Sequence, residues 1–209
     1  MNYMEFSKQL AAAEAHLAKV DARLDFIIAK YGHCTIVPHT NYYEELISSI
    51  ISQQLSIKAA STIWKRFIAL YDNKTPTPEQ IIATDVETIR GVGASYAKAN
   101  YIKDLALHIL DGKLDLAHIA TLDNETVIAQ LTAVKGIGEW SAHMFMIFCL
   151  GRLNILPWGD LGVRKSMQEV YELSALPSKA EMIAVAQANS WAPYESIASW
   201  YLWKNLDNK

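Results

Sequence analysis

The sequence has few cysteines and no long apolar stretch. Its 209 residues include only Cys34 and Cys149, which are too few for a disulfide framework or a four-thiolate cluster. The longest strongly apolar run, Met144 to Leu150, is far shorter than the roughly 20 residues that cross a bilayer. No basic segment followed by an apolar one opens the chain, so we expect no secretory signal. We therefore expect an intracellular protein, in the cytoplasm or nucleoid of a bacterium or the nucleus of a eukaryote.

The usual cofactor motifs are also missing. The chain has no HExxH sequence for a catalytic metal and no Gly-Lys-Ser/Thr loop for a nucleotide. Its two Gly-x-Gly segments, at 91–93 and 136–138, lack the third glycine and the preceding strand of a dinucleotide-binding fold. We therefore expect no catalytic cofactor.

Neither sign of charge dominates. The chain carries 19 Lys and Arg against 22 Asp and Glu, a net charge of −3, which argues against a general polyanion binder. Basic residues nevertheless prevail in the segments 58–66, 90–103 and 135–165. These segments could form a local basic face if they converge, although ordinary solvated helix surfaces would show the same pattern.

Helix signals dominate what the sequence does contain. With 51% hydrophobic residues the chain is too apolar to be disordered. Met4 to Tyr31 is an Ala/Leu/Lys-rich stretch that ends at Gly32, a typical helix C-cap. Capping boxes begin at Thr77 and Ser178, and alternation with a period of two is nowhere sustained. The sequence predicts an all-α protein of about ten helices.

The most informative segment is Lys135-Gly136-Ile137-Gly138, which lies between two predicted helices. Two glycines allow a sharp turn with positive φ and a close approach of a ligand to the backbone. The first turn of the next helix offers unpaired N–H groups to a phosphate oxygen, and we expect Ile137 to enter the core. Such a hairpin would bind the nucleic-acid backbone without reading the base sequence. A turn between helices without any ligand would look the same.

A second informative segment runs from Leu156 to Lys165 and contains Pro157 and Asp160. It follows an apolar helix predicted over 139–150, which we expect to be buried. The helix would be about 18 Å long, and the ten residues after it span up to ~33 Å, so the chain can return to the hairpin. Asp160 is predicted to cap a helix, where the dipole and N–H groups favour a carboxylate. A purely structural cap remains an alternative.

Taken in order, these segments resemble the helix–hairpin–helix superfamily of DNA glycosylases, and within it the alkylpurine (3-methyladenine) DNA glycosylases. The resemblance extends from about Tyr42 to Leu206 and is carried by five blocks: Ile50–Ala60, Gly93–Lys103, the hairpin with Trp140, Pro157–Lys165, and Trp191-x-Pro-Tyr194 with Trp200–Trp203.

The resemblance implies two all-α lobes with a DNA-binding cleft between them. One lobe would comprise residues 42–150 and include the helix–hairpin–helix at about 124–150. The other would comprise residues 1–41 plus 151–209 and carry Asp160.

The resemblance also implies the roles of individual residues. Asp160 falls on the catalytic aspartate, and Gln54 falls where relatives insert a side chain into the gap left by a flipped nucleotide. The base pocket would be lined by Trp140, Trp203, Trp158 and Met144, although either of the first two could be a core residue instead. DNA contacts would come from Gln53, Gln54, Ser56, Lys135, Gly136, Ile137, Gly138, Arg164 and Lys165. No catalytic metal is implied, but a structural monovalent cation could lie at the hairpin, Val134 to Gly138.

The implied activity is hydrolytic removal of cationic N3- or N7-alkylated purines from double-stranded DNA by a monomer, leaving an abasic site. Trp140 stands where bifunctional relatives have a Schiff-base lysine, and their iron–sulfur cysteines are missing, so we expect no strand cleavage. Gly159, Glu195 and Met144 depart from the family pattern, and the last makes substrate preference uncertain. The alternatives are a non-catalytic helix–hairpin–helix DNA-binding protein and a glycosylase for oxidised or mismatched bases.

Overall fold

The computed structural model describes residues 3–207, and every regular element in that range is helical, which confirms the predicted all-α class. The described residues form twelve α-helices instead of about ten, together with a 3-10 turn at Ile119–Thr121. The helices are α1 (Tyr3–Val20), α2 (Ala22–Tyr31), α3 (Tyr42–Ser52), α4 (Ile57–Ala69), α5 (Pro78–Ala83), α6 (Val86–Gly91), α7 (Tyr96–Leu110), α8 (Asn124–Thr132), α9 (Glu139–Phe148), α10 (Leu161–Val170), α11 (Lys179–Ala188) and α12 (Glu195–Asp207). Within the described range, none of them combines the length and the apolar character needed to cross a membrane.

The chain divides into two compact units. The central unit comprises Thr40–Phe145, and the terminal unit comprises the chain up to His39 together with that from Met146 onward. Each unit has its own fully buried apolar residues, such as Ile50 and Phe67 in the central unit and Leu17 and Leu24 in the terminal unit. The lobes inferred from the sequence, 42–150 and the remainder, stay a prediction.

The terminal unit packs α12 against α1, α2 and α10. Seven consecutive residues of α12, Ser196 to Leu202, are buried. The stretch from Met4 to Tyr31 is not one helix, because Asp21 separates α1 from α2. The Asp21 side chain accepts hydrogen bonds from two backbone N–H groups of α2 and from the Trp191 indole. A buried helix cap therefore interrupts a sequence that looks continuously helical.

The central unit places α7 against α3, α5 and α6. Local capping signals explain several of its helix starts. Thr77 forms the predicted capping box with Gln80 at α5, and the Ser56 hydroxyl accepts the Ala59 N–H at the start of α4. The same logic applies in the terminal unit, where Ser178 forms its predicted capping box at α11.

Candidate functional site

Asp160 is the N-cap of α10, as the sequence predicts. Its Oδ1 accepts two hydrogen bonds of 2.8 Å, one from the Val163 backbone N–H and one from the Trp203 indole Nε1–H. The side chain is partly exposed. Two donors on one oxygen fix the orientation of the carboxylate while leaving it within reach of solvent.

Two further residues of the terminal unit, which were not among the predicted site residues, hold Trp203 beside Asp160. Its ring packs on Phe148, with centroids 5.7 Å apart and planes inclined by 31°. Gly162 permits this approach, because an added β-carbon there would lie 3.1 Å from both Asp160 Oδ1 and Trp203 Cδ1. A glycine two residues after a helix-capping aspartate was the available signal. The structure thus brings together two of the predicted site residues, Asp160 and Trp203.

Of the other predicted site residues of the terminal unit, Trp158 and Arg164 contact neighbouring groups of the protein. The ammonium of Lys179 lies 4.1 Å from the centroid of the Trp158 ring, so a cation already covers one face of that indole. Arg164 donates through Nε to Pro177 O at 2.9 Å, while Lys165 is exposed. These contacts connect the segment around Asp160 to the start of α11. Base contact by Trp158 and DNA contact by the two basic residues stay predictions.

The central unit contains the hairpin, whose two glycines differ in backbone conformation. Gly136 has φ +85°, the positive value that the two glycines were expected to allow, whereas Gly138 does not have a positive φ. A β-carbon on Gly136 would lie 2.2 Å from the Tyr101 ring, so both the backbone angle and the packing require glycine. Ile137 is 5% exposed, which confirms its predicted place in the core.

Hydrogen bonds from other elements of the central unit support this hairpin. Gln53 donates through Nε2 to Gly136 O at 2.8 Å, so its amide reaches a hairpin carbonyl. The backbone N–H of Lys135 donates to Asp104 Oδ2, also at 2.8 Å. Asp104 has no signal in the sequence, because the basic segment 90–103 ends one residue before it.

The turn between α3 and α4 carries the predicted inserting residue. Gln54 is exposed and has φ +56°, an uncommon conformation for a residue with a side chain. Ser56 is exposed as well, and Ile57 is 91% exposed. The Lys98 ammonium caps the C-terminal end of α3 by donating to the carbonyl oxygens of residues 51 and 53 at 2.8 and 2.7 Å. Partial burial lowers the pKa of Lys98. The turn after α3, held by Lys98, thus presents Gln54, Ser56 and Ile57 to solvent.

Helix α9 carries the two other predicted pocket residues. The sequence predicts a buried helix here, but Trp140 is 46% exposed and Phe148 is 37% exposed, so that expectation is wrong for both rings. Met144 is half-buried. The exposed Trp140 indole is accessible to a ligand, which a core tryptophan would not be.

Residues 47–191 match the HhH-GPD superfamily of base excision DNA repair proteins. This match covers more than half of the chain, which therefore belongs to that family.

Similar proteins point to one kind of glycosylase. DNA-3-methyladenine glycosylase 1 of Schizosaccharomyces pombe is 36% identical over 205 residues, covering 96% of this chain and 89% of the relative. A Bacillus halodurans structure described as a DNA-3-methyladenine glycosidase has a TM-score of 0.84 at 38% identity, covering 92% of this chain and 88% of that one. The S. pombe 3-methyladenine DNA glycosylase in complex with abasic DNA has a TM-score of 0.80 at 33% identity, covering 92% and 95%.

Proposed function

We propose that this protein is a monofunctional DNA glycosylase that removes N3- and N7-alkylated purines from double-stranded DNA by hydrolysis, leaving an abasic site. It would act as a monomer on DNA inside the cell, in the repair of alkylated bases. The names of the similar proteins support an enzyme rather than a non-catalytic DNA-binding protein. The single observation that carries the proposal is the Asp160 carboxylate, held by two N–H donors beside the Trp203 indole.

Reaction requires that the damaged nucleotide leave the stack, at a cost of a few kcal/mol. The exposed turn at Gln54 supplies a side chain to fill the gap. An N3- or N7-alkylated purine is positively charged, so an electron-rich indole face attracts it by about 0.5–2 kcal/mol. Trp140 and Trp203 are the indoles that we assign to this role.

The chemistry follows from the charge of the leaving base. When the bond between C1′ and the base nitrogen breaks, its electron pair neutralises the alkylated base, which needs no prior protonation. The sugar acquires oxocarbenium character, and the Asp160 carboxylate stabilises that developing positive charge. A water molecule then bonds to C1′ and loses a proton, which completes the abasic site. Asp160 acts mainly through its charge and secondarily by orienting or deprotonating this water.

The substrate class is tested by incubating the protein with methylated duplex DNA and with duplex containing 8-oxoguanine, then identifying the released bases by chromatography. We expect release of 3-methyladenine or 7-methylguanine and little release of 8-oxoguanine, because a neutral base needs more help to leave. Faster release of 8-oxoguanine than of 7-methylguanine would instead identify a glycosylase for oxidised bases.

The absence of strand cleavage is a separate part of the proposal. A lyase step needs an amine that forms a Schiff base with C1′, and Trp140 occupies the position where bifunctional relatives have that lysine. Borohydride added during the reaction would reduce such an imine to a stable protein–DNA adduct. We expect no adduct on denaturing gels under conditions in which the base is released, and a trapped adduct would refute the monofunctional assignment.

The proposal includes a monovalent cation that binds at the hairpin, Val134 to Gly138, and has a structural role. Val134 O accepts a 3.1 Å hydrogen bond from Ile137 N–H, and a carbonyl oxygen retains a second lone pair for a cation. Gly136 O already accepts from Gln53. Backbone carbonyls are suitable ligands for such an ion, which would hold the hairpin in shape without entering the reaction.

A further inference from the structure

Helix α7 supports both of the candidate DNA-contacting segments of the central unit. Three of its residues are spaced three apart, so they lie close together along one side of the helix. Lys98 closes the end of α3 before the exposed turn. Tyr101 packs against Gly136, and Asp104 binds the hairpin at Lys135. One side of a single helix therefore organises the turn and the hairpin together.

Asp104 makes two different contacts with Lys135. Its Oδ2 accepts the backbone N–H at 2.8 Å, and its Oδ1 lies 3.6 Å from the side-chain ammonium. The Asp104 side chain is only 14% exposed, whereas that of Lys135 is 76% exposed. An acid that is mostly buried thus lies directly behind the basic residue that the hairpin presents to solvent.

We propose that Asp104 is a positioning residue with two opposed effects on DNA binding. Its hydrogen bond to the backbone holds the hairpin in its binding conformation and so favours binding. Its negative charge pairs with the Lys135 ammonium and repels the DNA phosphates, and so limits binding. This inference rests on the proposed function, because it requires the hairpin to contact the phosphate backbone.

The two effects depend on different properties of the same side chain. An amide oxygen still accepts the backbone N–H, although a hydrogen bond to a carboxylate is about twice as strong, so Asp104→Asn removes the charge and retains the hydrogen bond that supports the hairpin. Asp104→Ala removes both. Salt screens the charge effect but affects the hydrogen bond little. The two substitutions should therefore change affinity in opposite directions, with different salt dependences.

The experiment measures the dissociation constant by fluorescence anisotropy, using a duplex that contains a tetrahydrofuran abasic analogue, across a range of salt concentrations. All variants are compared in the same buffer at one pH. We expect Asp104→Asn to bind about two- to fivefold more tightly at low salt, converging with wild type at high salt. We expect Asp104→Ala to bind several-fold more weakly throughout.

Asp111→Asn is the matched control. It removes the same charge from the C-cap of α7, about 10 Å further along the helix axis, where Asp111 pairs with Lys113. We expect a smaller change in affinity than for Asp104→Asn. An equal gain would show a general effect of net charge and would overturn the proposal.

Other results would also overturn it. If Asp104→Asn binds no more tightly than wild type at low salt, the limiting effect of the charge is absent. If folded Asp104→Ala binds as well as Asp104→Asn, the hydrogen bond does not position the hairpin. If a thermal melt shows that Asp104→Ala is not folded, the proposal is tested by the comparison of Asp104→Asn with Asp111→Asn alone. Base release is measured on the same preparations: release without the predicted affinity changes refutes only this inference, and the affinity changes without release refute only the proposed reaction.

Discussion

At the scale of single residues, the site depends on a neutral N–H donor that orients a carboxylate. Hydrogen bonds to charged groups contribute about 1.5–3 kcal/mol, and the Trp203 indole donates one to Asp160 Oδ1. The same ring packs on Phe148. Trp203 therefore has a role in positioning the carboxylate that is distinct from any stacking on the base.

Trp203→Phe tests the first role, because phenylalanine retains an aromatic ring and loses the N–H. We expect the single-turnover rate of base release to fall by about ten- to a hundredfold, which is the hydrogen-bond free energy expressed as a rate. Affinity for the abasic-analogue duplex should stay within about threefold of wild type, because the carboxylate acts mainly in the transition state. Trp200→Phe, on the same helix, is the control and should react at nearly the wild-type rate. A wild-type rate for Trp203→Phe would show that the indole N–H does not position Asp160.

At the scale of helices and loops, a buried acid on α1 ties the terminal unit together. Glu14 is 6% exposed and accepts hydrogen bonds from the Cys34 backbone N–H at 2.6 Å and from the Tyr201 hydroxyl at 2.9 Å. His33 Nδ1 lies 2.9 Å from its other oxygen. Residues from α1, α12 and the segment after α2 thus meet at one carboxylate.

This network predicts a pH dependence of stability. The hydrogen bond and the charge of Glu14 raise the pKa of His33 above its ordinary value of 6.5. A raised pKa in the folded state means that the stabilisation is fully present below the unfolded pKa and is lost as the pH rises through the folded pKa. His33→Gln should therefore destabilise the protein at pH 5.5 and have a smaller effect at pH 8.5. Urea unfolding of both proteins at the two pH values measures this, and a difference independent of pH would contradict it.

The helices show which structural features can be predicted from sequence. The capping boxes at Thr77 and Ser178 could be predicted because both partners lie within four residues of each other. The cap at Asp21 is equally local, since it accepts from backbone N–H groups two and three residues away, but the partners that hold it in the core, Tyr171 and Trp191, are 150 and 170 residues away and could not be predicted. The contact between Gln53 and the hairpin joins residues 83 positions apart, so it could not be predicted either. Local sequence signals therefore predict where helices begin, whereas the contacts that hold those helices in place are seen only in the structure.

At the scale of the whole molecule, the candidate machinery is divided between the two units. The terminal unit contains Asp160 and Trp203, while the central unit contains the hairpin, the exposed turn and Trp140. The net charge of −3 gives no general attraction to DNA, so affinity must come from local contacts such as those of the hairpin. Catalysis is likewise assigned to one local charge, the carboxylate of Asp160.

Motif order singles out these candidate site residues, whose roles stay predictions, but it does not indicate their surroundings. The cap at Asp160 follows from local sequence, and the resemblance to a family singles out Trp203. Neither indicates that the indole N–H bonds the carboxylate or that Lys179 covers the Trp158 ring. Such contacts depend on how helices distant in sequence pack within each unit.

The most direct test of the account is the single-turnover release of 7-methylguanine by wild type and by Asp160→Asn. Asparagine can cap α10 and accept both N–H groups, so this substitution removes the charge and little else. We predict a loss in rate of at least about a hundredfold, with the melting temperature retained and affinity for abasic-analogue DNA within a few-fold of wild type. Release by Asp160→Asn at the wild-type rate would contradict the account.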